Sequence, residues 1–168
     1  MMIPNQAIDI YAHLNPAFGA LVFHDFTKGF MAGTHQSGPT AGPTFPHYFL
    51  ALPVLYSRKG RNSFQGTNKT TGFWNWLERH PEIRIGFADE VRAGKPITHK
   101  VLVFSVAYHL LDTDGWHYWT VEKPPWRSPG WKSRTDERGE MLSNARSLGT
   151  WMAKIGLVDI FLALGVRP

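Results

Sequence analysis

The sequence contains no cysteine, which excludes disulfide bonds, thiol catalysis and cysteine-ligated zinc sites. It also lacks a long hydrophobic run. The apolar stretch at 45–56 is far shorter than the roughly 20 residues that a membrane-spanning helix needs. The chain starts MMIPNQAIDIY, without a basic region followed by an apolar core, so we expect no signal peptide and a cytoplasmic location.

Sequence motifs of catalysis are also missing. There is no Gly-x-Ser-x-Gly, and the glycines near Thr67 do not have the spacing of a phosphate-binding loop. Asp112-x-Asp114-Gly115 begins like a calcium loop, but Lys123 occupies the twelfth position, where that loop needs glutamate. The eight histidines form no zinc-peptidase pair, and the 13 carboxylates are scattered singly. We therefore predict that the protein is not an enzyme and binds no metal or cofactor.

The composition is that of one globular domain, 1–168. Hydrophobic residues make up 43% and charged residues 18% of the chain, which separates it from disordered sequences. The net charge of +5 permits contact with nucleic acid or an acidic partner, and by itself demonstrates neither. Seven tryptophans belong either to an aromatic-rich core, the interpretation we favour, or to docking surfaces.

The apolar stretch FPHYFLALPVLY, residues 45–56, is predicted to be the central helix of the fold. A segment that is apolar on all sides must be surrounded by protein. Pro46 suits the first turn of a helix, whereas Pro53 lies one turn further in and should kink or end it. A buried strand is the alternative, which the internal proline disfavours.

The segments on either side are predicted to be one helix and two loops. The helix begins at Asn15-Pro16, with asparagine as its cap, and ends at Gly29. Asp25 lies close to the apolar stripe of this helix, and we expect an arginine elsewhere in the chain to pair with it. Residues 33–44 are predicted to form a flexible loop without a hydrophobic anchor, and residues 57–69 a polar, solvated one.

Three short helices and a β-hairpin are predicted next. The helices begin at Thr70 or Thr71, at Pro81 and at Pro96, and Gly94 ends the second of them. Asp114-Gly115 predicts the hairpin turn. This order is that of a winged helix. The third helix offers almost no polar side chains that could read base edges, so we expect it to serve as a scaffold.

A long amphipathic helix capped by Thr135 is predicted to follow. Its core-facing stripe consists of Met141, Ala145, Leu148, Met152 and Ile155. Gly149 would let another helix come close, Gly156 ends the helix, and one more apolar segment ends at Gly165. The predicted fold class is therefore mainly α, a single helical domain with a winged-helix-like centre of three helices and a β-hairpin.

The segment 122–134 is the best candidate for a docking surface. Its three prolines and glycine exclude regular structure, and basic residues alternate in it with tryptophans. Such patterns bind nucleic acid, but Trp and Arg are also the preferred hot-spot residues of protein interfaces, and we favour protein docking. A surface loop pinned to the body by its tryptophans is the structural alternative. The predicted docking residues, including one at the C-terminal end, are Trp126, Arg127, Trp131, Lys132, Arg134 and Arg167.

Several landmarks, taken in their order along the chain, resemble one known family. They are Asn15-Pro16-Ala17, Leu52-Pro53 followed by Arg58, the helix–helix–hairpin centre, Ala145 with Leu148-Gly149, and the ending Leu164-Gly165-Val166-Arg167-Pro168. Over nearly the full chain, the sequence resembles the middle components of bacterial three-component ABC-ATPase systems, a group that includes Lamassu-type defence operons.

The resemblance implies a small subunit that is not itself an ATPase. It implies two partners, an SMC/Rad50-like ABC ATPase dimer and an effector such as a nuclease, in a complex that acts against phage or plasmid DNA. On this interpretation the chain is a non-catalytic bridging subunit, which meets DNA through the complex and uses neither a membrane nor a small-molecule substrate. A winged-helix DNA-binding protein or regulator is the alternative.

Overall fold

The computed structural model describes residues 15–121 and 137–167. Within these residues the chain forms seven α-helices and one antiparallel hairpin. The helices are α1 (Pro16–Gly33), α2 (Phe45–Tyr56), α3 (Arg58–Ser63), α4 (Phe73–Arg79), α5 (Phe87–Ala107), α6 (Glu137–Met152) and α7 (Leu157–Ala163). The hairpin pairs β1 (Leu111–Thr113) with β2 (Tyr118–Thr120), and short 3-10 turns occupy Pro39–Ala41 and Pro81–Arg84. The mainly helical class is thereby confirmed, and the described residues form one compact domain. No helix of the described ranges combines the length and the apolar character needed to cross a membrane.

The central apolar segment is helical, as predicted, and it lies within the hydrophobic core. Pro46 occupies the first turn of α2, where its missing N–H costs nothing, and the helix continues for three residues beyond Pro53. Most of the helix is buried, namely His47, Tyr48, Leu50, Ala51, Leu52, Pro53, Val54 and Leu55. Because α1, α5 and α6 all contact it, α2 has no side that needs to be polar.

Glycines set the distance between α1 and α6, the most extensively packed pair of helices. A Cβ atom at Gly149 would lie 2.1 Å from the carbonyl oxygen of Phe26, and one at Gly29 would lie 2.0 Å from the carbonyl oxygen of Arg146. Both distances are shorter than real Cβ contacts, so the two backbones touch where these side chains are missing. The close approach that the sequence predicts at Gly149 is therefore confirmed.

The predicted end of the first helix at Gly29 is wrong, since α1 continues to Gly33. Gly29 instead allows the backbone of α6 to come close to α1. Its carbonyl oxygen accepts a hydrogen bond from Thr150 Oγ1 at 3.0 Å. Phe18, near the start of α1, lies beneath the guanidinium of Arg138, near the start of α6. Gly33, at the other end of α1, lies against Thr150, so the two helices run parallel.

Residues 57–69 form helix α3 and a buried anchor rather than the predicted solvated loop. The Ser57 side chain caps α3 by accepting a backbone N–H at 3.1 Å. Phe64 is only 6% exposed and stacks on Trp76 and Trp151, with ring centroids 5.8 and 5.6 Å away. The prediction failed because one aromatic residue in a polar stretch anchors the whole segment, which the average composition of the stretch does not reveal.

The helix at 73–79 follows the prediction, but the next one does not. α4 ends just before His80, and it follows Gly72 rather than a threonine cap. It buries Phe73, Trp76 and Leu77. Pro81 begins a four-residue 3-10 turn in place of the predicted second helix.

The predicted break at Gly94 and the new helix at Pro96 are also wrong, because α5 runs unbroken for 21 residues. Glycine and proline in a helix interior cost about 1 and 3 kcal/mol relative to alanine. Packing against α1 and α2 offsets that cost, since burying one large apolar side chain contributes about 1.5–3 kcal/mol. The buried face consists of Phe87, Val91, Thr98, Val101, Leu102 and Ser105.

The hairpin forms around Asp114-Gly115, as predicted, and follows the helical segments in the predicted order. Gly115 has a φ of +97°, a conformation that favours glycine. The hairpin is tied to the segment before α2: Tyr118 N–H donates to the carbonyl of Pro43 at 2.9 Å. In the opposite direction, Phe45 N–H donates to the carbonyl of Trp116 at 3.0 Å.

The Gly/Pro/Thr-rich segment 33–44 is anchored, contrary to the prediction. Residues 41–43 are buried, with Ala41 only 3% exposed. A Cβ atom at Gly42 would lie 1.6 Å from the carbonyl oxygen of Tyr118, so only glycine allows the segment to approach the hairpin this closely. Backbone hydrogen bonds and close backbone contact hold this segment, and neither depends on large apolar side chains.

Candidate interaction surfaces

Only one of the six predicted docking residues belongs to the described part of the chain. Arg167 is exposed, four residues beyond the end of α7. The other five lie outside the described residues, within 122–136, so their docking role stays a prediction: Trp126, Arg127, Trp131, Lys132 and Arg134.

The described residues that flank the segment 122–136 lie near opposite ends of α1. On one side, Thr120 Oγ1 lies 3.9 Å from the sulfur of Met31. On the other side, the guanidinium carbon of Arg138 lies 5.9 Å from the ring centre of Phe18. Phe18 and Met31 are about 20 Å apart along the helix axis, at 1.5 Å per residue. The predicted docking segment is therefore attached to the body at two widely separated points.

Helix α7 and the residues after it present what we call the C-terminal surface, defined by Val158, Leu162 and Arg167. Ile160 and Leu164 face the core and are fully buried. Val158 and Leu162, one turn apart, are 62% and 68% exposed. Two large aliphatic side chains this exposed, with a cation beyond them, are a candidate docking surface.

The chain direction after α7 is held by a helix-ending motif. Val166 N–H donates to the carbonyl of Phe161 at 2.9 Å, and Gly165 N–H donates to the carbonyl of Leu162 at 3.2 Å. Gly165 has a φ of +72°, as the left-handed end of such a motif requires. The motif confirms the predicted stop at Gly165 and sets the direction in which Arg167 leaves the helix.

A second exposed apolar surface joins α2 to the hairpin turn. The ring of Phe45 lies 5.1 Å from that of Trp116 and 5.8 Å from that of Phe49, both in edge-to-face geometry. Phe45 and Trp116 remain 38% and 46% exposed. We call these three residues the aromatic surface. Exposed aromatic clusters of this kind are enriched at protein interfaces.

Ion pairs join helices within the described part of the chain. Asp25, which is 13% exposed, accepts hydrogen bonds from Arg146, with Nε 3.2 Å from its Oδ1, and so links α1 to α6. This is the arginine partner that the sequence predicts for Asp25. Lys59 Nζ lies 2.6 Å from the Glu90 carboxylate and links α3 to α5.

Asp114 belongs to the turn and not to a calcium loop. Its Oδ1 accepts hydrogen bonds from the backbone N–H groups of Trp116 at 2.9 Å and His117 at 2.7 Å. These backbone hydrogen bonds, helped by the His117 ring, lower the pKa of Asp114 to about 2. Among residues 15–121 and 137–167, no group of three or more histidine or acidic side chains could hold a metal ion.

His47 is a buried histidine for which the sequence suggested no role. Its Nδ1 accepts a hydrogen bond from the backbone N–H of Thr44 at 3.0 Å, which closes the start of α2. Its ring centre lies 4.9 Å from that of Phe30. Burial lowers the pKa of His47 to about 4, and this outweighs the opposing effect of the Thr44 carbonyl oxygen, which lies 3.3 Å from Nδ1. The ring is therefore neutral at pH 7 and serves as a cap.

Sequence reasoning missed the outer face of α5, because it divided this helix in two. The unbroken helix places basic and apolar side chains together on one exposed face, among them Arg92, Lys95, His99, Lys100 and Val103. The sequence did contain one indication of this surface, because no acidic residue lies between Val91 and Leu111. When this stretch forms one continuous helix, its basic residues make a single cationic surface.

The described residues thus define a small helical protein that has exposed apolar surfaces and ion pairs between its helices. A family model for the ABC-three component (ABC-3C) system Middle Component 3 matches residues 6–168. The chain therefore belongs to this middle-component family, as the order of its sequence landmarks indicated. No curated protein and no solved structure matches the chain.

Proposed function

We propose that the chain is a non-catalytic bridging subunit, which holds an SMC/Rad50-like ABC ATPase dimer and an effector such as a nuclease in one complex. The observation that carries this proposal is the family match over residues 6–168. A middle component of a three-component system has partner components. We further place the complex in the cytoplasm, in a Lamassu-type system that acts against phage or plasmid DNA.

The chemistry of the described residues supports a role without catalysis. A general acid or base must reach a substrate proton, directly or through one water. Asp25 and Asp114 instead use their oxygens for contacts within the fold, and Glu90 pairs with Lys59 through one of its two oxygens. His47 is buried, uncharged at pH 7 and occupied by the backbone of Thr44. These groups stabilise the body on which docking surfaces are carried.

A bridging subunit needs at least two separate surfaces, and the chain offers them. The residues that flank the predicted docking segment contact opposite ends of α1, the C-terminal surface lies on and after α7, and the aromatic surface lies at the hairpin turn. Exposed aromatic, aliphatic and arginine side chains supply most of the binding energy when they are buried at the centre of an interface. We assign the segment around Trp126 and Trp131 to one partner and the C-terminal surface to the other.

Co-purification with the two other components encoded beside this chain tests the proposal. With a tagged ATPase component, all three chains should elute together in size-exclusion chromatography with light scattering. Arg127→Ala combined with Trp131→Ala should weaken the complex, because each hot-spot truncation costs about 2 kcal/mol or more. A matched control is Trp74→Ala with Arg79→Ala on α4, where both side chains are exposed. Elution of this chain alone, as a monomer in the presence of both components, would refute the proposal.

The defence role has its own test. Cells that carry the complete operon should resist phage infection or lose an incoming plasmid, and deletion of this gene alone should abolish that protection. Restoring the gene on a second plasmid should restore protection. If deletion leaves phage plating and plasmid retention unchanged, the chain has no part in defence, whatever it binds.

A further inference from the structure

The outer face of α5 is a continuous surface about 22 Å long, from Arg92 to Ala107 at 1.5 Å per residue. Its exposed residues recur at helical spacing, namely Arg92, Ala93, Lys95, Pro96, His99, Lys100, Val103 and Ala107. No described helix or strand covers these side chains.

The middle of this face carries Pro96 and Val103 together with Arg92 and His99, and lysines form its edges. At about 100° per residue, Arg92, Pro96, His99 and Val103 fall within about 60° of one another around the axis. Val103, on the midline, is 55% exposed. Lys95 and Lys100 lie on opposite edges, about 140° apart by the same helical geometry.

The charge of the face has one sign. The acidic residues of the first turn of α5 already have partners, since Asp89 pairs with Arg92 and Glu90 with Lys59. Beyond them the helix contains no acidic residue. Both Lys95 and Lys100 are exposed, and among residues 15–121 and 137–167 neither pairs with a carboxylate.

Pro96 lies near the centre of the face, and its ring is exposed. Because proline has no N–H, it cannot donate to the carbonyl of Arg92, one turn earlier. The face thus includes an exposed residue that disfavours helices by about 3 kcal/mol relative to alanine.

We propose that the outer face of α5 docks a helix of a partner component, and that this helix carries an apolar stripe edged by aspartate and glutamate. The apolar residues of the partner would cover Val103 and Ala107, while its carboxylates would meet Lys95 and Lys100. Apolar side chains with charged groups at their edges are typical of protein interfaces. A phosphate backbone would contact the lysines but would leave Val103 without an apolar neighbour, so a protein occupant fits better than nucleic acid. The inference rests on the proposed bridging function and adds the chemistry of one contact.

Charge reversal and apolar disruption test the two parts of this surface separately. Affinity for each purified partner component is measured by biolayer interferometry at low and high salt. Lys95→Glu with Lys100→Glu should weaken binding by about tenfold or more at low salt, and less at high salt, because salt screens exposed charges. Val103→Asp removes apolar contact and also adds repulsion from the partner's carboxylates. Salt screens only the repulsion, so this variant should still weaken binding at high salt.

Two matched variants control for net charge and exposure. Lys28→Glu with Lys154→Glu changes the net charge by the same amount at exposed positions outside α5. Ile85→Asp places a carboxylate at a side chain that is 73% exposed and outside the helix. Both controls should stay within about twofold of the wild-type affinity, and circular dichroism melts should show that all variants fold.

Three results would overturn the inference, and they differ from one another. If the wild type binds a partner component but the α5 variants bind as well as their controls, the inference fails and the bridging function stands. If the wild type binds neither component, both proposals fail. If the α5 variants keep their partner affinity but lose fluorescence-anisotropy binding to a DNA duplex of about 20 base pairs, the occupant is nucleic acid instead.

Discussion

Replacing Gly149 with alanine should test whether backbone contact holds α1 and α6 together. The added Cβ atom would lie 2.1 Å from the carbonyl oxygen of Phe26 and 2.8 Å from the backbone nitrogen of Phe30. Both neighbours are backbone atoms of one helix, so no flexible side chain can move away. The two helices must therefore separate by about 1 Å, which reduces the dispersion contacts along their whole interface.

The expected loss follows from two opposing effects. Overpacking of a well-filled interior costs about 1–3 kcal/mol, and a clash between backbones belongs at the upper end of that range. Alanine in a helix interior regains about 1 kcal/mol over glycine. We therefore expect Gly149→Ala to lower the free energy of unfolding by about 2 kcal/mol.

Gly94→Ala is a matched control, because it makes the same substitution in the interior of α5. The nearest atom to its added Cβ would be a side-chain carbon of Leu52 at 3.4 Å, an ordinary contact. Because alanine has a higher helix propensity than glycine, Gly94→Ala should be more stable than the wild type by up to about 1 kcal/mol. The two variants should thus differ by about 3 kcal/mol.

Urea unfolding, followed by tryptophan fluorescence and circular dichroism, measures both effects. The free energy of unfolding of a small protein falls by about 2 kcal/mol per molar urea. The urea concentration at the midpoint should therefore fall by about 1 M for Gly149→Ala and rise by up to about 0.5 M for Gly94→Ala. A midpoint for Gly149→Ala at or above that of the wild type would refute the argument, because the helices could then not be in backbone contact.

Other substitutions probe the remaining contacts. Because burial holds the pKa of His47 at about 4, against about 6.5 when unfolded, the unfolded state binds more protons between these values. The free energy of unfolding should be unaffected by His47 above pH 6.5 and should fall by up to about 3 kcal/mol as the pH drops to 4. The urea midpoint of His47→Asn should depend less on pH than that of the wild type. Arg146→Met should lower the free energy of thermal unfolding by about 1–2 kcal/mol, because it leaves the Asp25 carboxylate unpaired. Adding Asp25→Asn should recover most of that loss. No loss in Arg146→Met would show that the pair does not stabilise the fold. Phe64→Ala should cost about 3–5 kcal/mol in urea unfolding, whereas the half-exposed Phe45→Ala should cost much less, and equal losses would contradict the anchoring role of Phe64.

The candidate surfaces were only partly accessible from the sequence. Tryptophan and arginine at 122–134, and Arg167, could be recognised by residue type alone. The exposure of Val158 and Leu162 could not, because an apolar segment looks the same whether one face or all faces are buried. The outer face of α5 depends on the continuity of that helix through Gly94, and continuity comes from packing against other helices.

Local patterns in the sequence determined the elements whose cause lies within a few neighbouring residues. They include the all-apolar helix at 45–56, the stripe of Met141 and Leu148 on α6, and the turn at Asp114-Gly115. Only the tertiary structure decided that Gly29 is a packing residue, that Phe64 is an anchor and that α5 does not break. In each of these cases the stabilising contact is made by a residue that is distant in sequence or belongs to another helix. The residues nearby in the sequence therefore do not indicate that packing will override their local propensity.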